Sequence, residues 1–183
     1  MASSLADPSA DVRQAAAYGA GVAAKFGGPS FSSFILASVP HLFTIINAPE
    51  SRNEENVMAT ENSISAIGKI IRAYSNAGLD GSTIPLWIGA LPILEDAEEA
   101  PETYRTLIEL LNHPSVGTPE LAPKLVSIIT QVLAVPTLMP KNPEISTDLL
   151  AALQSILSKS DKQLIWGTLN SEQQQFLVKH SLI

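Results

Sequence analysis

At 183 residues the chain can hold one ordinary domain or several short repeats that share a core. It contains no cysteine, which excludes disulfides, zinc–thiolate sites and thiol nucleophiles, and its formal charge of −7 is the wrong sign for nucleic acid. Apolar residues make up 45% and charged residues 16%, a balance in which much of the surface is buried between neighbouring elements.

Along the chain the apolar residues recur at helical spacing and nowhere alternate as strands do. The start, Met1-Ala-Ser-Ser, lacks the basic and apolar regions of a signal peptide, and residues 1–10 read as a disordered leader or an expression-derived extension. Helices are predicted over 11–26, 31–47, 52–74, 82–94, 98–112, 119–135 and 145–159, with two short ones over 161–168 and 172–180. Between them stand Gly27-Gly28-Pro29, Ala48-Pro49, Gly78 with Asp80-Gly81, His113-Pro114 and Pro140-Lys-Asn-Pro143. Ser51-x-x-Glu54 and Ser171-x-x-Gln174 read as capping boxes. The longest apolar stretch, 34–46, is interrupted by Ser38, Pro40 and His41, and its 13 residues are too few to span a bilayer.

The predicted helices repeat in pairs. One type, B, begins near Asp11, Glu54, Glu98 and Pro143, at intervals of 43, 44 and 45 residues. The other, A, carries an early proline in Val39-Pro40, Ile84-Pro85 and Ala122-Pro123. A two-helix unit of this length is the HEAT or armadillo period, so the expected fold is an all-α solenoid of about four repeats. It occupies residues 11–183, with 160–183 as a C-terminal cap. Ile64, Ile67, Ile71, Leu107, Leu111 and Ile128 are expected to share one core. On a helical wheel Glu54, Glu55, Met58, Glu61, Asn62, Ser65, Lys69 and Arg72 fall within about one third of the circumference. The rest of that helix is apolar, as befits a helix with neighbours on several sides.

Catalytic chemistry finds no support. His41, His113 and His180 lie in separate repeats, with no metal-ligand spacing around them. No serine sits in a Gly-x-Ser-x-Gly turn, and the carboxylates from Glu95 to Glu102 oppose the positive end of a helix dipole. No catalytic, metal or cofactor site is therefore expected. The remaining candidate is a protein-binding inner wall made of Glu54, Glu55, Met58, Glu61, Asn62, Ser65, Lys69, Glu95, Asp96, Glu98, Glu99 and Glu102. Capping and solubility explain Glu54, Asp96 and Glu99 equally well. The stripe Glu61, Asn62, Ser65 and Lys69 lies beyond the first turn, where that account weakens. If the stripe lines an open groove, replacing Glu61 and Asn62 by alanine should leave the melting temperature unchanged.

Several segments also resemble the karyopherin-β (importin-β) family, in the C-terminal repeats of its importin-5 (importin beta-3) branch. They are Asp11-Val-Arg-Gln-Ala-Ala-Ala-Tyr-Gly19 and Glu55-Asn-Val-Met-Ala-Thr-Glu-Asn-Ser-Ile-Ser-Ala-Ile-Gly-Lys69, then Ile84-Pro-Leu-Trp87. Leu91-Pro-Ile-Leu-Glu-Asp96, Glu98-Glu-Ala100 and Leu169-Asn-Ser-Glu-Gln-Gln174 complete the set. The likeness is specific over 11–111, weak to 159 and moderate in the tail, and Pro101 departs from it. It implies the last repeats of a much longer receptor that shuttles between cytoplasm and nucleus. Such a receptor carries cargo with basic localisation signals, meets the Phe-Gly repeats of nucleoporins, and binds Ran-GTP mainly through repeats N-terminal to these. A monomer without nucleic-acid or membrane partners is expected. The alternative is a HEAT scaffold of a phosphatase or coat complex with no transport role.

Overall fold

The computed structural model describes residues 2–75 and 79–183. Gly78, predicted as a turn residue, lies outside them. In chain order the helices are α1 (Ala2–Leu5), α2 (Ala10–Phe26), α3 (Ser32–Leu36), α4 (Val39–Ile46), α5 (Val57–Tyr74) and α6 (Thr83–Ala90). They continue as α7 (Ala100–Leu110), α8 (Ala122–Leu133), α9 (Pro143–Lys159), α10 (Lys162–Thr168) and α11 (Ser171–Lys179). No strand occurs among the described residues. Helices α2, α5, α7 and α9 pack each against the next as one layer, while α4 and α6 pack on α5 and α8 packs on α9, a stacking of helix pairs of the HEAT kind. Helix α5 is enclosed by α2, α4, α6 and α7, which accounts for an apolar surface around most of its girth. Helices α10 and α11 pack against α8. Residues 2–5 form a helix whose Leu5 is buried.

Of the expected core, Ile64, Ile67, Ile71, Leu107 and Ile128 are fully buried in one continuous cluster, with Leu111 half-buried at its edge. Trp87 is also fully buried: it lies against Gly68 and donates its indole N–H to the Ile64 carbonyl at 2.8 Å.

Helix boundaries differ from the predicted ones for local reasons. The 31–47 helix is broken at Ala37–Ser38 into α3 and α4, because Pro40 supplies no N–H and fits only the first turn of a new helix. The 52–74 helix starts five residues late. The Asn53 side chain accepts from the Asn56 amide at 2.9 Å, a local turn that competes with helix, so Ser51 caps nothing. The 82–94 helix ends at Ala90, since Leu91 is held extended ahead of Pro92. The second capping box is one residue earlier than predicted: Asn170 and Gln173 exchange side chain-to-backbone bonds of 2.9 Å.

Candidate protein-binding site

The polar stripe on α5 faces the segment that leads from α6 into α7. Glu61 accepts backbone N–H groups of Leu94 at 2.7 Å, Glu95 at 3.0 Å and Asp96 at 2.7 Å. Asn62 donates to the Asp96 carboxylate at 2.7 Å, and Ser65 donates to Glu99. Lys69 completes the row with an ion pair to Glu99 at 2.5 Å. Four α5 residues thus meet partners some 30–35 positions further along the chain.

The stripe is therefore an inter-repeat seam and not an open groove. Glu61, Asn62 and Ser65 retain only 1%, 3% and 1% of their exposure, and Asp96 and Glu99 are buried with them. This corrects the expectation that Glu61 and Asn62 could be truncated without loss of stability. Burial pushes the Glu61 carboxyl above the usual glutamate value, outweighing its three amide bonds and the charge of Arg52. Arg52 sits 3.6 Å from Glu61 and donates to the carbonyls of Ala90 and Pro92, tying the same loop from the other side.

The other candidates point outward. Glu54 and Glu55 are exposed in the turn before α5, and Glu95 and Glu98 are exposed in the loop before α7. Met58 is half-buried. Glu95 lies beside Ser51, Arg52 and Val57 along one groove, at the end of α5 next to the turn that carries Glu54 and Glu55. Glu102, half-buried, belongs to a charge ladder across α2, α5 and α7: it pairs with Lys25 of α2 at 2.8 Å and Arg72 of α5 at 2.7 Å. Arg72 also reaches Glu109 at 2.8 Å. Burial raises the Glu102 pKa, but Lys25, Arg72 and Lys69 outweigh it and hold the group below the usual glutamate value. Lys25 and Glu109 were not legible as site residues. The usable signal was their opposite charge on B helices two repeats apart, with Arg72 on the B helix between them.

A groove of about 790 Å³ opens where α7 and α9 diverge, with Ile108, Leu111, Ala152 and Ile156 in its lining and His113 and Asp148 also along it. Among the described residues, no cluster of three or more side chains could hold a metal ion, and no single helix is long and apolar enough to cross a membrane.

No family model matches the chain. Over 166 residues, 89% of its length, it is 30% identical to importin subunit beta-3 of Saccharomyces cerevisiae. Over 165 residues it is 29% identical to a probable importin-5 homolog of Dictyostelium discoideum. The chain spans 15% of the length of each of these relatives. Its fold superposes on Kap121p bound to RanGTP with a TM-score of 0.76 at 23% identity, covering all of this chain and 16% of that one. Kap121p bound to Nup53p gives 0.73 at 22% identity, over 97% of this chain and 16% of that one. By its sequence match to these importins, carried on a HEAT-type stack, the chain is homologous to a segment of the karyopherin-β (importin-β) superfamily.

Proposed function

We propose that the chain is a C-terminal segment of a nuclear transport receptor of the importin-5 branch that binds protein cargo rather than transforming a substrate. The observation that carries this reading is importin-like sequence over 89% of the chain. The carboxylates of Glu54, Glu55, Glu95 and Glu98, exposed in the turn before α5 and the loop before α7, make an acidic rim that suits a lysine- or arginine-rich signal. Glu102 and Lys69 hold the adjoining wall in place, and Met58 supplies apolar contact beside it. The apolar groove between α7 and α9 suits the phenylalanine of a Phe-Gly nucleoporin repeat. The receptor would shuttle between cytoplasm and nucleus, with Ran-GTP engaged mainly by repeats outside this chain.

Fluorescence anisotropy with a labelled lysine-rich peptide tests the rim. The variant Glu54→Gln, Glu55→Gln, Glu95→Gln, Glu98→Gln should bind about tenfold more weakly, since four exposed charge contacts are worth roughly 0.2–1 kcal/mol each. Its melting temperature should not change, and wild-type binding should weaken with salt. Equal affinity for the two proteins would remove the rim from the binding surface.

A further inference from the structure

The groove between α7 and α9 is apolar along its middle and charged at two points. From α9 it is lined by Asp148, Ala151, Ala152, Ser155, Ile156 and Lys159, at the three- and four-residue spacing that keeps side chains on one helix face. Alanine and serine at three of those positions leave the groove its width. Ile108 and Leu111 of α7 and the buried Leu125 of α8 supply further apolar lining, so the groove is walled on both sides by the chain itself. A space of about 790 Å³ is ample for one aromatic side chain with its flanking backbone.

Asp148 and Lys159 are the charged residues of this lining. They stand within about 20° of one another around α9 and about 16 Å apart along it. Both are exposed, and among the described residues neither enters an ion pair. Charges nearby are committed: Arg105 reaches Glu144 at 3.6 Å, and Arg72 reaches Glu109 at 2.8 Å. Lys159, in the last turn of α9, opposes the negative end of the helix dipole, which accounts for its sign. Asp148 lies beyond the first turn, where the dipole does not account for it.

We infer that Asp148 and Lys159 set the selectivity of this groove, which takes an extended segment whose single aromatic residue is flanked by one basic and one acidic residue. The ring enters among Leu111, Ala152 and Ile156, the basic residue meets Asp148 and the acidic residue meets Lys159. Two side chains about five residues apart in an extended strand span the distance between the two charges. A segment with like charges on both flanks meets repulsion at one end. The inference rests on the reading of the groove as a Phe-Gly site and adds which Phe-Gly segments it prefers.

NMR titration of the isotope-labelled chain with three acetylated, amidated peptides tests it. One is Lys-Ser-Phe-Gly-Ser-Glu, and the others carry lysine or glutamate at both ends. The mixed peptide should bind about three- to tenfold more tightly than either of the others, with the amides of Ala152 and Ile156 among those that shift. That advantage should vanish in roughly 1 M salt. Asp148→Lys should make the doubly acidic peptide the best ligand, and Lys159→Glu the doubly basic one, each with a melting curve like that of wild type. Equal affinities for the three peptides, or a ranking that neither substitution moves, overturns the selectivity assignment and leaves the phenylalanine in the groove. If no peptide perturbs the groove, or if binding survives replacement of the peptide's phenylalanine by alanine, the Phe-Gly reading and this inference fall together.

Discussion

Trp87 anchors α6 to α5 through one bond and one close approach. Its indole N–H is fixed on the Ile64 carbonyl, and its ring lies where a side chain on residue 68 would go. A Cβ on Gly68 would sit 3.0 Å from Cζ2 of that ring, and the hydrogen bond leaves the ring no easy retreat. Alanine there gains up to about 1 kcal/mol in helix propensity but overpacks the core by roughly 1–3 kcal/mol. Gly68→Ala should therefore lower stability by about 1–2 kcal/mol, read as a fall in the thermal midpoint. Tyr104 supports the neighbouring loop in a comparable way. Fully buried, it donates its hydroxyl to the Ile93 carbonyl at 2.5 Å and accepts the Ile93 amide at 2.9 Å, and burial raises its pKa strongly.

At the scale of elements, stability at the seam comes from a carboxylate and not from apolar contact alone. Glu61→Ala would leave the amide groups of Leu94, Glu95 and Asp96 without an acceptor, at a cost of about 3 kcal/mol in a denaturant titration. The charge ladder behaves differently because it is more exposed. The folded-state pKa of Glu102 lies below its unfolded value near 4.5, so its stabilisation is complete above that value and fades as pH falls through the folded one. Glu102→Gln should be less stable than wild type by about 1 kcal/mol at neutral pH. Melting curves of the two proteins should converge in acid. The pairing of A and B helices was legible in the sequence from periodicity and proline placement. The seam was legible only as a set of residues: the wheel put Glu61, Asn62, Ser65 and Lys69 on one face but could not say that the next loop covers it. Burial of charge is invisible to a pattern that treats polar as outward. Helix ends were misplaced where side chains such as Asn53 or the ring of Pro92 act on the backbone directly.

For the whole molecule, the tryptophan and arginine side chains of residues 52–110 that could serve as the anchors dominating most protein interfaces are buried or committed to internal partners, Arg105 reaching Glu144 at 3.6 Å. Trp87 is buried, Arg72 is committed to Glu102 and Glu109, and Arg52 to the loop before α7. A globular GTPase needs a standard interface of roughly 1,200–2,000 Å² with such anchors near its centre. Calorimetric titration of this chain with Ran-GTP should accordingly show no sub-micromolar binding. A sub-micromolar constant would mean that these repeats carry a GTPase site of their own.

The grip of Glu61 on the 94–96 loop has a consequence for how this surface can change over time. The carboxylate holds main-chain amides, which every residue other than proline possesses, so the path of the loop is indifferent to the side chain at Glu95. That side chain projects into solvent from a backbone fixed by its neighbours. Position 95 can thus accept almost any chemistry without disturbing the stack behind it. A lineage could retune what the rim recognises one substitution at a time while the architecture stays unaltered.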